Sequence, residues 1–159
     1  MIIKVNSKEQ LVACLDIIHE SFFTVADDFN LTKDNCPSHT AFTPLEKLKE
    51  QYADGRAMFF YEKGGEKVGY FSLKENENNA ELDNLAVLPS HRHSGIGKEI
   101  IDFAKEYAQE HLLADKLTIG IIEENTVLKN WYENLGFLHT GKKGFPHLPF
   151  TVGFMEINI

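Results

Sequence analysis

Residues 82–108 read LDNLAVLPSHRHSGIGKEIIDFAKEYA, and a change of period inside this stretch decides the fold. Before Pro89 the apolar residues follow the alternation of a half-buried strand. From Ile96 they recur at Ile100, Phe103, Ala104 and Tyr107, which is helical spacing and predicts a helix over residues 95–110. Between the two lies Arg92-His93-Ser94-Gly95-Ile96-Gly97, a glycine-punctuated turn that carries a strand directly into a helix. The first turn of a helix leaves N–H groups without internal partners, and the aligned peptide dipoles add partial positive charge there. Phosphate oxygens satisfy both. Gly95 and Gly97 carry no side chain to block a close approach by the backbone, and Gly95 can adopt φ > 0. Arg92 or Lys98 can add charge-assisted bonds, so the segment reads as an anion-binding turn.

Two other glycine-rich templates do not fit. A dinucleotide fingerprint needs a third glycine, but Gly95-Ile96-Gly97 is followed by Lys98, Glu99 and Ile100. A Walker A loop needs a glycine where Arg92 stands and a hydroxyl residue where Glu99 stands.

Upstream of the turn, residues 2–5 predict a short strand, and Leu11, Val12, Leu15, Ile17 and Ile18 give one face of a helix over residues 7–20. Ser7 with Gln10 has the capping-box spacing that opens it. Residues 22–42 mix aromatics, acids and turn formers and predict a long connection with at most one helical turn. Thr43 and Pro44 suit an N-cap and first turn for a helix over residues 44–52. Strands follow over residues 57–61 and 68–73, joined by EKGGEK, whose Gly64 and Gly65 suit a hairpin turn. A third strand covers residues 80–88, with Glu81, Asp83, Leu85 and Val87 on one face if no bulge intervenes.

Downstream, a strand over residues 116–121 precedes a helix over residues 125–135 that Gly136 stops. In that helix Val127, Leu128 and Trp131 form the expected buried stripe. Phe137 and Leu138 resume extended structure, GKKGFPHLPF (residues 141–150) is expected to be a loop, and a last strand covers residues 151–157. The order strand, two helices, three strands, helix, strand, helix, two strands predicts one α/β (α+β) domain over residues 1–159, with helices on the faces of a mixed sheet.

Composition narrows the function classes. The net charge of -8 and the presence of only two arginines, Arg56 and Arg92, disfavour a nucleic-acid partner, whose phosphates call for clustered positive charge. No stretch approaches the roughly 18 apolar residues of a membrane span, so no membrane partner and a cytoplasmic location are expected. Cys14 lies in a helical apolar pattern, whereas Cys36 sits in a polar loop as a free thiol, and no disulfide is expected between them. His91 and His93 flank Arg92 without a third ligand at zinc spacing, so no metal site is expected.

ELDNLAVLP (residues 81–89), RHSGIG (residues 92–97) and NTVLKNWYENLGF (residues 125–137) together resemble the GCN5-related N-acetyltransferase (GNAT) family. The family signature [Arg/Gln]-x-x-Gly-x-[Gly/Ala] is met at Arg92, Gly95 and Gly97, and the last segment looks like the family's Asn...Tyr...Leu-Gly-Phe run. The resemblance implies a seven-stranded, mostly antiparallel sheet split like a V between its fourth and fifth strands. It also implies acetyl-CoA (coenzyme A) as the cofactor. By position, it assigns the diphosphate to the backbone N–H groups of Arg92, His93, Ser94, Gly95, Ile96, Gly97 and Lys98. The pantetheine goes to the edge formed by Leu85, Ala86 and Val87, with an N–H near Val87 on the acetyl carbonyl. Asn125 would contact the pantetheine region, and Tyr132 would be the general acid for the departing thiolate.

Acetyl transfer to an amine also needs a base. Glu81 is the first candidate, directly or through water, and Asp83 the second; a solvated strand carboxylate is the alternative for both. Packing is the alternative for Tyr132, and a plain helix N-cap for Asn125. His93 is a candidate neighbour of the cofactor. His39 and His147, in loops expected on the acceptor side, are candidate proton relays. Phe22, Phe23, Phe29, Phe42 and Phe145 are candidates to line an acceptor pocket, with core packing as the alternative. The expected activity is N-acetylation of a small-molecule amine or a peptide, with a non-catalytic acyl-CoA-binding domain as the alternative. A homodimer is compatible with either.

Overall fold

The computed structural model describes residues 1–159. In chain order the elements are β1 (Ile2–Lys4), α1 (Gln10–Asp28), a 3-10 turn (Thr40–Phe42), α2 (Leu45–Ala53), β2 (Ala57–Lys63), β3 (Glu66–Asn76) and β4 (Asn79–Val87). A 3-10 turn (Pro89–His91), α3 (Ile96–His111), β5 (Lys116–Ile122), α4 (Thr126–Asn134), β6 (Leu138–Gly144) and β7 (Thr151–Asn158) follow. The sheet has seven strands in the order β1-β2-β3-β4-β5-β7-β6. β4 and β5 run parallel, while β1–β2, β2–β3, β5–β7 and β6–β7 are antiparallel. The β4–β5 register covers only three residue pairs, from Asn79↔Lys116 to Glu81↔Thr118.

The chain divides into two compact units, Met1–Leu73 with Asn84–Ile101, and Lys74–Asp83 with Asp102–Ile159. In the first, Leu11, Cys14, Ile17 and Ile18 of α1 and Leu48 of α2 pack with Met58 and Phe60 of β2, Tyr70 of β3 and Ala86 of β4. Phe59 and Phe71, opposite each other in the β2–β3 register, stack with ring centroids 4.9 Å apart. The hairpin between β2 and β3 turns through Gly64 (φ 60°) and Gly65 (φ 82°), the two left-handed positions of a type I′ turn. In the second unit, β5 and β7 pair over seven residues, and Leu117, Ile119, Met155, Tyr132 and Phe137 are buried.

α1 is the principal departure from the sequence expectation. It continues to Asp28 through residues expected to be a connection, because Ser21, Phe22, Val25 and Ala26 extend its inward face. Its end is a Schellman motif: Asn30 is left-handed (φ 55°), Leu31 N–H donates to Ala26 O at 2.8 Å and Asn30 N–H to Asp27 O at 3.4 Å. Asn followed by an apolar residue was the sequence signal for this stop. The expected capping box is half present, since Gln10 Oε1 accepts from Asn6 N–H at 2.8 Å and Ser7 N–H at 3.3 Å, while the N-cap is Glu9 without a side-chain bond. Cys36 is fully buried although its neighbours in sequence are polar, and both cysteines are free. β6 runs through Gly141 to Gly144, so the expected loop shortens to residues 145–150.

Candidate active site

The chain leaves β4 through the Pro89–His91 turn, and the residues that follow take an unusual backbone path. Arg92 is extended (φ -68°, ψ 161°), His93 is left-handed (φ 61°) and Gly95 is left-handed (φ 87°). Left-handed residues interspersed in this way are a backbone pattern of anion nests, concavities lined by N–H groups. Helical bonding begins at Glu99, whose N–H donates to Gly95 O at 3.1 Å, so the N–H groups just before it lie ahead of the ladder. Ile96 is buried and anchors the helix start, whereas His93, Ser94, Gly95 and Lys98 are exposed and Gly97 is half-buried. A Cβ built at Gly95 meets nothing within 4 Å, so its left-handed φ, not crowding, accounts for glycine there, and open space lies above the turn. Such a concavity can hold a diphosphate. The Ser94 hydroxyl donates back to His91 O, bracing the turn from behind.

Arg92 departs from its sequence assignment in two ways. Its N–H donates to Pro89 O at 3.4 Å, closing the 3-10 turn. Its guanidinium faces the fold: Nε donates to Val87 O at 3.2 Å, one terminal nitrogen to Thr24 Oγ1 at 3.0 Å and the other to Ser21 O at 2.8 Å. Of the two cations considered for phosphate, Arg92 is thus turned into the fold, and Lys98 is exposed. Sequence reasoning missed Ser21 and Thr24 because their partner lies about 70 residues away.

β4 carries Leu85, Ala86 and Val87 to the turn, with Ala86 buried and its neighbours half-buried. The expected uninterrupted pleat fails at Asn84, which is left-handed (φ 55°) in mid-strand. Its Oδ1 accepts from Thr40 Oγ1 at 3.3 Å, which ties the 3-10 turn after α1 to the strand. Ala80, Leu82 and Ala86 are buried, whereas Glu81, Asp83, Asn84, Leu85 and Val87 are half-buried, so the condition for a single face over residues 81–87 is not met at Asn84. Gly69 of β3 lies so close that a Cβ there would stand 3.2 Å from Ala86 O and 3.1 Å from Tyr61 Cβ. Tyr61 in turn donates from its hydroxyl to Glu99 Oε2 at 2.6 Å, a contact that holds the acid of the first α3 turn against β2.

In the second unit, Asn125 is the N-cap of α4: its Oδ1 accepts from Leu128 N–H at 3.2 Å. The helix stops in a Schellman motif, with Phe137 N–H on Tyr132 O at 3.1 Å, Gly136 N–H on Glu133 O at 3.0 Å and Gly136 left-handed (φ 99°). The expected buried stripe is corrected. Val127 is 80% exposed, Leu128 and Trp131 are half-buried, and Tyr132 is the buried residue. Its ring packs edge-on against Trp131 at 4.9 Å and Phe137 at 5.3 Å. Burial pushes the Tyr132 hydroxyl pKa up, so the group stays protonated through neutral pH.

At the end of β5 lies a second polar cluster that sequence reasoning missed. The Glu123 carboxylate accepts from Lys129 Nζ at 2.9 Å and His139 Nε2 at 2.8 Å, and those two partners hold its pKa below the usual carboxylate value. It lies directly over Gly153, where any side chain would collide with it.

The loop histidines are also placed. His39 is half-buried, caps the Thr40–Phe42 turn by accepting from Ala41 N–H through Nδ1 at 3.2 Å, and has its pKa lowered by burial. The neutral ring then carries its proton on Nε2, making it a donor and not a ready base. Its ring lies 6.1 Å from both Phe22 and Phe42, and Phe23 lies 6.2 Å from Phe42. Phe23 is 45% exposed, so this aromatic group is not wholly core. His147 is exposed, with its ring 5.8 Å from Phe145.

The profile of the Acetyltransferase (GNAT) family matches residues 18–137. An uncharacterised N-acetyltransferase from the pepI 3' region of Lactobacillus delbrueckii subsp. lactis is 31% identical, over 85% of this chain and 82% of the relative. Among solved structures, the ribosomal-protein-S18-alanine N-acetyltransferase of Escherichia coli shares the fold at a TM-score of 0.77 and 15% identity, over 100% of this chain and 93% of that one. A Bacillus anthracis acetyltransferase in complex with acetyl coenzyme A matches at a TM-score of 0.61 and 20% identity, over 65% of this chain and 62% of that one. The chain belongs to the GNAT acetyltransferase family. No helix is long and apolar enough to cross a membrane.

Proposed function

We propose that the protein is an acetyl-CoA-dependent N-acetyltransferase that acetylates a primary amine of a small molecule or a peptide by direct attack, and that the whole chain works as one catalytic domain. The observation that carries this is the left-handed His93 and Gly95 pair at the head of α3, in a chain of the GNAT family. Acetyl-CoA supplies the acyl group as a thioester. The backbone N–H groups of residues 93–98, with Lys98, hold its diphosphate, while Leu85, Ala86 and Val87 receive the pantetheine and a nearby N–H polarises the carbonyl. Asn125, besides capping α4, offers its side-chain amide to the same arm.

Glu81 takes the proton from the acceptor ammonium, directly or through water, with Asp83 as the second candidate. The neutral amine forms the new C–N bond as the C–S bond breaks, the Tyr132 hydroxyl gives its proton to the sulfur, and the second N–H proton, lost as the amide forms, passes through water to restore the tyrosine. The raised pKa keeps Tyr132 loaded but makes it a reluctant donor to a thiolate of ordinary basicity near 8.5, so it contributes at the lower end of positioned proton transfer.

Two measurements test the proposal. A panel of amines with acetyl-CoA, followed by free thiol release and acceptor mass together, should give at least one acetylated amine. Thiol release without an acetylated acceptor would mean hydrolysis only, and binding without either would leave a non-catalytic acyl-CoA-binding domain. With an acceptor in hand, Tyr132→Phe should slow single-turnover transfer by about 10² while leaving acetyl-CoA affinity intact. A rate within about twofold of the parent would remove Tyr132 as the acid.

A further inference from the structure

We propose that Arg92 is a positioning residue that couples the anion-binding turn to the carboxy-terminal half of α1, so that filling the turn orders α1 and the aromatic group it carries. The inference rests on the acetyl-CoA reading above. It begins with the hydrogen-bond inventory of one side chain. Arg92 uses three nitrogens on three acceptors within the fold, Val87 O of β4 and Thr24 Oγ1 and Ser21 O of α1. The acceptors are matched in polarity: Thr24 Oγ1 donates its own proton to Ser21 O at 2.8 Å and is left to accept from the guanidinium. Only a planar fork reaches all three, which is why lysine is not equivalent. Partial burial lowers the Arg92 pKa, and the Asp28 carboxylate offsets part of that cost.

These contacts leave Arg92 little freedom, since its backbone N–H is also committed to Pro89 O. The next residue is left-handed His93, so the start of the nest is fixed to the position of α1. On the α1 side, Ser21 and Thr24 bracket Phe22 and Phe23, whose rings meet His39 and Phe42. The Thr40–Asn84 bond ties the far end of that aromatic group to β4, two residues before Ala86. Anion binding that stiffens the turn therefore stiffens α1 through the guanidinium, and coupling of this kind is reciprocal.

The probe is coenzyme A, with hydrogen exchange followed by mass spectrometry and affinity measured by calorimetry. In the parent, coenzyme A should slow exchange in residues 21–28 as well as in residues 93–98. Arg92→Lys and Arg92→Gln should weaken coenzyme A by about tenfold and abolish the protection of residues 21–28 while keeping that of the turn. Thr24→Val, which removes one acceptor and preserves shape, should weaken binding by about threefold with partial loss of the α1 protection. It carries the test alone if the Arg92 variants do not fold. Unchanged α1 protection in Thr24→Val and Arg92→Lys, or none in a parent that binds coenzyme A, overturns the coupling. A flatter salt dependence in Arg92→Gln with α1 protection retained would make Arg92 a direct phosphate ligand and also overturns it. A parent that does not bind coenzyme A overturns the proposed function itself, and the two failures are thereby distinguished.

Discussion

α3 and α4 each follow a strand, and their first turns are arranged differently. At the head of α4, Asn125 accepts from Leu128 N–H, and Glu123 just before it is bonded to Lys129 on the helix and His139 on β6. That start is closed on its own surroundings. At the head of α3, the nearest hydroxyl, Ser94, turns back to His91, and left-handed His93 and Gly95 shape a concavity on an exposed turn. Ordinary local chemistry explains the first arrangement. The second places two left-handed residues within three positions, one of them not glycine, and such conformations cost roughly 1–3 kcal/mol where the residue is not glycine. The difference is why the proposed diphosphate site is placed at the start of α3 and not of α4.

The sharpest way to break this comparison is Gly97→Glu, which adds bulk and negative charge at the α3 start alone. At a concentration of about 100 Kd, acetyl-CoA should stabilise the parent by about 2.7 kcal/mol, a rise in Tm of roughly 5–10 °C. In the variant most of that rise should vanish while the ligand-free Tm changes little. Equal shifts in a calorimetric or dye-monitored melt would show that the α3 turn is not the diphosphate site.

A smaller effect is expected at α4. Asn125→Ala removes the cap and should cost about 1 kcal/mol, or about 2–4 °C in Tm, whereas Asn125→Asp should retain the cap. Coenzyme A affinity separates the two roles of this residue. If alanine and aspartate variants both bind like the parent, Asn125 is a cap alone; if both weaken, its amide touches the cofactor as well.

The smallest effect concerns the cluster beside α4. Because its partners depress the Glu123 pKa, the contribution of Glu123 to stability is complete above the usual carboxylate value of 4.5 and disappears as pH falls through its lower folded-state value. Glu123→Gln should therefore flatten the acid limb of Tm against pH below about 4.5 and leave coenzyme A binding at neutral pH unchanged. An acid limb identical to the parent's would mean that solvent already screens the cluster.

Much of this architecture was legible in the chain because it is local. The switch from period two to helical period on either side of Pro89, the Gly64-Gly65 turn, and Gly136 after the α4 pattern all state backbone conformations through neighbouring residues. The order of regular elements followed from them. The glycine-punctuated turn before α3 was legible for the same reason, since glycine positions and a helix start are properties of consecutive residues. α1 was underestimated because Thr24 and Val25 have modest helix propensity, and tertiary burial of Ser21 and Ala26 outweighs it.

By itself, then, the sequence determined the element order and the glycine turn, both carried by spacing along the chain, and it showed the family through the resemblance of three segments. What only the tertiary structure decided is where long side chains end. Arg92 stands in the motif as a cation next to a glycine turn, and nothing within ten residues indicates that two of its acceptors are Ser21 and Thr24. Val127 and Tyr132 exchange expected burial because the exposed side of a short helix depends on what packs against it. Glu123, Lys129, His139 and Gly153 come from four separate stretches and meet only because β5, β6, β7 and α4 bring them together. Hydrogen bonds and burial depend on distances in space, and a sequence specifies those only through the complete fold.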